Sequence, residues 1–191
     1  MTEGSHAEKG PERQENAEMA EAAKAVQEII EPLRTGELSE KLGKALVYVQ
    51  SAARAKNAKQ ADNFIRFAHL NLDAALAKAL ETTVFRPRLA SKSDEQKKAA
   101  ALQKTFDRID GPAPAMLEHY RSSSDPLNKF LVAGPWGHEY LKKRGVDLEQ
   151  FDRELVEMLG CGESPAGRMM QGYAGIRRAI AEMEKLVKKG L

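Results

Sequence analysis

The 25 residues from Lys59 to Thr83, KQADNFIRFAHLNLDAALAKALETT, hold neither glycine nor proline and constrain the fold more than any other stretch. Ala61, Phe64, Ile65, Ala68, Leu72, Ala75, Leu76 and Ala79 recur at i, i+3, i+4, i+7, the spacing of a helix that buries one broad stripe. Phe67, Leu70, Ala74 and Ala77 add a weaker apolar face, so this helix is expected to touch neighbours on two sides. A rod of this kind needs other helices around it, and the composition favours them. The chain holds 28 alanines against 19 valines, isoleucines and threonines together, a balance that favours helix over strand. The expected fold class is therefore all-α: a helical bundle of four or five long helices with a subdomain of short helices.

The order of segments follows from breaks in periodicity. Residues 1–14 are polar, carry two glycines and a proline, and read as a disordered N-terminal tail. Residues 15–110 read as the core helical bundle. Its first helix starts near Asn16 and runs to Pro32, whose ring cannot continue a helix. Met19, Val26, Ile30 and Leu33 form a heptad-like seam on it that calls for a partner helix and are the expected partner-binding residues. A second helix over 37–56 connects by a short link to the central one, which makes the two antiparallel neighbours. Val84 to Ala90 reads as an extended loop presenting Arg86 and Arg88. The capping box Ser93-Asp94-Glu95-Gln96 opens a helix to about Ile109. After the Gly111-Pro112 break, residues 111–191 read as short helices and a long closing helix. Asp125-Pro126, Asp147 and Ser164-Pro165 supply helix starts in this part. The closing helix carries Tyr173, Ile176, Ile180, Met183 and Val187 on one face.

Cys161 is the one cysteine, so no internal disulfide can form and a reducing, cytoplasmic setting is the default. No run approaches the ~20 apolar residues of a membrane span, and no membrane role is expected. Charge is uneven. Residues 1–36 hold four Lys/Arg against eight Asp/Glu, a net of −4, whereas residues 37–110 hold fourteen against nine, a net of +5. Such a separation serves a polyanionic partner or head-to-tail association of like subunits.

Catalytic motifs are weak. Asp62, Arg66, His69 and Asp73 share one strip of the central helix at spacings of 4, 3 and 4. His69 and Asp73 have the spacing of half a metal site or of an acid–base pair; the plainer reading is i, i+4 ion pairing on a polar face. His69, His119 and His138 do not follow a glutamate by three positions, and the one Glu-x-x-His, Glu3 to His6, falls in the polar tail, so a ferritin-like di-iron site is rejected; His138-Glu139 lacks the second histidine of a zincin. Neither metal nor other cofactor is expected. Cys161 reads as an inert thiol and Trp136 as a packing wedge. The remaining signal is basic: Lys41, Lys44, Arg54, Lys56, Lys59, Arg86, Arg88, Lys92, Lys97 and Lys98 suit contacts to a nucleic-acid backbone.

In size, basic balance and all-α class the chain resembles small helical subunits of RNA-guided effector complexes and helical coat proteins of filamentous viruses. The expected function is a non-enzymatic α-helical subunit that binds nucleic-acid backbone and assembles with itself or within a larger complex, as a homo-oligomer or a complex subunit. The alternative is a protein–protein adaptor, scaffold or chaperone in which the Met19–Leu33 seam docks onto another chain. An enzyme built on Asp62, His69 and Asp73 ranks last.

Overall fold

The computed structural model describes residues 11–85, 114–124, 129 and 132–190, with backbone alone for 11–16, 84–85 and 135–136. Among these the protein is all-α, with no strand. Seven α-helices are present: α1 Pro11–Ile30, α2 Ser39–Ala53, α3 Ala58–Leu80, α4 Pro114–Ser122, α5 Pro135–Lys143, α6 Leu148–Leu159 and α7 Pro165–Gly190.

Local chemistry sets most of the ends. α1 begins at Pro11, earlier than the apolar period predicts, because proline at a first helical position loses no hydrogen bond. It stops at Ile30, and Pro32 sits in a tight 3-10 turn, Glu31–Leu33. Gly36 then takes the left-handed region at φ 50°, which reverses the chain into α2. The Asn57 side chain caps α3 by accepting from the Gln60 backbone N–H at 2.9 Å. At its far end α3 runs into a π turn, Glu81–Phe85, where the Thr82 hydroxyl donates to the Lys78 carbonyl at 2.9 Å. Val84 and Phe85, expected to open an extended loop, thus continue the helical path. The rest of that loop and the helix expected over 93–109 lie outside the described residues. Asp147 caps α6 and Gly160, at φ 64°, ends it. Ser164 Oγ accepts from the Gly167 N–H at 3.0 Å to start α7.

α2 and α3 make the most extensive helix–helix contact, and α1–α2, α3–α7 and α1–α7 contacts close a ring of four long helices. α7 therefore packs mainly with the N-terminal helices α1 and α3, and also against α6. Ala61, Ile65, Ala68, Leu72, Ala75, Leu76 and Ala79 are all buried, as are Tyr173, Ile176, Ile180 and Met183 of α7. Each large side chain among them stabilises the fold by roughly 1.5–3 kcal/mol. Met19, Val26, Ile30 and Leu33 are buried in this same core. The α1 seam that was expected to dock onto another chain is filled within its own, mainly by α7. Glycine makes the approach close: a Cβ on Gly172 would stand 3.1 Å from Leu33 Cδ1.

The central helix departs from expectation on its second face. Leu70 is 63% exposed, and Phe67, although its ring lies against Tyr48 of α2, is still 48% exposed. No helix among the described residues is long and apolar enough to cross a membrane.

Candidate functional site

Two regions carry more polar or apolar chemistry than folding alone asks of them. The first is a polar seam where α3, α5, α6 and α7 converge. Of the sequence strip, Asp62 and Arg66 do pair within α3 at 3.0 Å. His69 and Asp73 instead face α7. His69 Nε2 meets Glu184 Oε1 at 2.7 Å, and the Arg177 guanidinium donates to His69 Nδ1. The second contact requires a lone pair on Nδ1, so Nε2 carries the proton that Glu184 accepts and the ring is neutral. Burial, and after it the Arg177 charge, holds His69 below the ordinary histidine value, with Glu184 pulling the other way. The Tyr173 hydroxyl donates to Asp73 Oδ1, and Arg177 lies 4.0 Å from the same carboxylate while bonding Glu139 at 3.1 Å. Burial, followed by the Asp73 charge, pushes the Tyr173 phenol well above its ordinary value, so it keeps the proton it donates to Asp73.

His138, on the first turn of α5, is buried at 4% exposure and packs its ring 4.7 Å from that of Tyr173. Its Nε2 meets both oxygens of the fully buried Asp152, at 2.9 and 3.1 Å. Asp152 stands above its ordinary range because burial outweighs the His138 hydrogen bond. The other ring nitrogen, Nδ1, is buried with no hydrogen-bond partner. α5 can lie this close because residue 137 is glycine: a Cβ there would fall 2.0 Å from the Val132 carbonyl oxygen. No cluster of three or more His, Cys, Asp or Glu side chains among the described residues is arranged to hold a metal ion.

Sequence periodicity missed His138 and Asp152 as partners. A signal existed. On α6, Leu148, Phe151, Leu155, Val156 and Leu159 outline the apolar face, and Asp152 sits inside it. A carboxylate in an apolar stripe asks for a buried partner.

The second region is the outer face of the α2–α3 hairpin. Val47 on α2 is 59% exposed, and Phe67 and Leu70 on α3 are exposed as well. The Tyr48 ring packs between the helices, with centroids 6.4 Å from Phe64 and 5.3 Å from Phe67. Three of the four large exposed apolar side chains among the described residues are on this hairpin, the fourth being Met158.

The basic residues do not form one surface. Lys41 and Lys44 open α2, whereas Arg54, Lys56 and Lys59 cluster at its other end, about 20 Å away at 1.5 Å per residue. Lys44 is held by Glu40 at 2.6 Å and Lys78 by Glu37 at 3.5 Å. Arg54, Lys56 and Lys59 have no acidic partner within 4 Å among the described residues. Arg86, Arg88, Lys92, Lys97 and Lys98 lie outside them, as does the Trp136 side chain. Cys161 is buried between α6 and α7.

No protein-family model, curated protein or solved structure matches this chain.

Proposed function

We propose that the protein is a non-enzymatic helical interaction subunit that docks the apolar face of a partner's amphipathic helix onto its α2–α3 hairpin. The observation that carries this reading is the exposure of Val47, Phe67 and Leu70 on one hairpin of an otherwise well-buried fold. Grouped apolar side chains of this size on a surface mark interaction sites. Arg54, the residue that closes α2, stands seven after Val47 with no acidic partner within 4 Å among the described residues, whereas Lys44 and Arg66 are paired with Glu40 and Asp62. The charge left over at this end is positive and favours a partner helix flanked by acidic residues.

The test uses two synthetic helical peptides with the same leucine face, one edged with glutamate and one with lysine, followed by fluorescence polarisation. The glutamate-edged peptide is expected to bind more tightly, and Phe67→Ser with Leu70→Ser to weaken it about tenfold or more. Equal binding of both peptides, or binding indifferent to the double substitution, refutes the reading. Self-association at the same face would appear as a dimer mass that the double substitution abolishes.

A second reading rests on Arg54, Lys56 and Lys59. Three cations without acidic partners on one turn suit a nucleic-acid backbone, so the protein would act as a ribonucleoprotein or coat-like subunit. Three phosphate contacts predict a log–log salt slope of about −2.7 on duplex and about −2.1 on single strands. Reversing all three residues to glutamate should abolish retardation in a gel, and a salt-independent or unaltered shift would exclude them.

A further inference from the structure

The ring of four long helices closes through α1–α2, α2–α3, α3–α7 and α7–α1 contacts, so its α2–α3 and α1–α7 faces lie on opposite sides. The α1–α7 face holds a groove of about 310 Å³. Ala22 and Ala25 of α1 and Ala179 and Leu186 of α7 give it apolar walls, and Glu18 and Glu21 stand at one end. Both glutamates are exposed, and neither has a basic partner within 4 Å among the described residues. On the α7 bank Glu182 takes Lys185 at 2.6 Å, which leaves Lys189 to set against the two glutamates. Charge divides the same way along the helices. α1 holds five glutamates against Arg13 and Lys24, whereas residues 41–61, from the first turn of α2 to that of α3, hold five Lys/Arg and no acid.

α1 and α2 are joined through residues 31–38 and run antiparallel, with Gln27 of one bonded to Gln50 of the other at 3.2 Å. The start of α1 and the end of α2 therefore lie at the same end of the bundle. Glu18 and Glu21 mark that end on one side, and Arg54, Lys56 and Lys59 mark it on the other. The spacings agree as well. Val47 stands seven residues before Arg54, and Ala25 stands seven after Glu18, about 10 Å in each case. A second copy displaced sideways without rotation lays α2 along its α1 and α3 along its α7. Arg54 then comes level with Glu18 of that copy, and Val47 with its Ala25.

Building on the docking face proposed above, we infer that its occupant is a second copy of this chain: the α2–α3 hairpin seats on the α1–α7 groove of the next molecule, head to tail. Val47, Phe67 and Leu70 supply the apolar contact, and the basic end of the hairpin meets Glu18 and Glu21. The two faces differ, so the contact is heterologous, and repeating it without rotation gives an open row of subunits instead of a closed dimer.

Sedimentation velocity on the full chain at rising concentration tests this. The wild type should pass beyond the dimer, and raising salt from about 0.05 to 0.5 M should weaken association about tenfold. Phe67→Ser with Leu70→Ser removes one face, and Glu18→Lys with Glu21→Lys removes the other. All four positions are exposed, so neither variant disturbs the core. Each variant alone should stay monomeric. An equimolar mixture should form a dimer and stop there, because the hairpin left intact on one finds the groove left intact on the other. A monomeric wild type, a wild type that closes at the dimer, assembly indifferent to salt, or a mixture that stays monomeric overturns the inference. The glutamate-edged peptide, titrated into the same samples, separates this outcome from loss of the docking face itself. Peptide bound to a chain that stays monomeric keeps the face and excludes the second copy, and a monomeric chain that ignores the peptide sinks both.

Discussion

Replacing Tyr173 by phenylalanine removes one oxygen from the centre of the α3–α7 contact and almost nothing else. The ring is 1% exposed, and its hydroxyl donates to Asp73 Oδ1. Without it, Asp73 keeps Arg177 at 4.0 Å, beyond hydrogen-bonding reach. A hydrogen bond to a charged group contributes about 1.5–3 kcal/mol. Asp73 retains 28% side-chain exposure, so water replaces part of the loss and the lower half of that range applies. The expected destabilisation is about 1.5–2 kcal/mol. With a urea m-value near 2–3 kcal/mol/M, the midpoint should fall by about 0.5–1 M at unchanged slope. Asp73→Ala and the double variant complete a thermodynamic cycle. Because the two side chains touch, their effects should fall short of additivity by about 1 kcal/mol or more. A midpoint for Tyr173→Phe equal to that of the wild type, or strictly additive effects, would refute the assignment of this bond.

Two further outcomes follow from the same seam. The folded-state pKa of His69 lies below the ordinary value of 6.5, so its contribution to stability is full above 6.5 and declines as pH falls from there towards the folded value. Urea midpoints of the wild type should therefore drop across that window by more than those of His69→Gln; parallel curves would disprove the linkage. Gly137→Ala inverts the usual helix preference. Its Cβ would meet the Val132 carbonyl oxygen at 2.0 Å, so the melting temperature should fall with a loss of about 1–3 kcal/mol, where alanine at an open helical site would raise it.

Helix positions were legible because they depend on neighbours in sequence. The period of α3, the Asp147 and Ser164 caps and the Pro32 break all act within a turn or two, and each appears where local chemistry puts it. Partner choice is another matter. The Met19–Leu33 spacing says that a helix packs there but not whose helix, and α7 lies more than a hundred residues away in the chain. The polar strip of α3 was read half correctly. Asp62–Arg66 is the intrahelical pair that spacing implies, whereas His69 and Asp73 bond across to α7. The complementary spacing stands in the sequence of α7 as Tyr173, Arg177 and Glu184, and only the match between two helices distinguishes a seam from a solvated face. His138 and Asp152 fall on different helices at a spacing no period describes, so the one readable clue was the acid within the apolar stripe of α6. The basic residues show the opposite failure. Proximity in sequence placed Lys41 with Lys59, and a straight helix holds them apart.

Buried polar seams seldom add stability over well-packed apolar ones, since desolvation offsets what the pairs return. The question is what else this one does. α3 repeats Ala61, Ala68 and Ala75 every seven residues, and α7 repeats Met169, Ile176 and Met183 at the same interval, all buried. Sliding the antiparallel pair by one heptad, about 10 Å, would present nearly the same apolar surface. It would also separate His69 from Glu184 and Asp73 from Tyr173, and losing each hydrogen bond to these partly exposed carboxylates costs about 1.5–2 kcal/mol. The seam thus selects the register that the apolar repeat leaves degenerate. Replacing His69, Asp73, Arg177 and Glu184 together by leucine or methionine should hold or raise the urea midpoint while splitting the ¹H–¹⁵N spectrum into more than one set of α3 and α7 resonances. A single sharp set, with the wild-type pattern of α3–α7 proximities, would mean that loops and core shape alone fix the register.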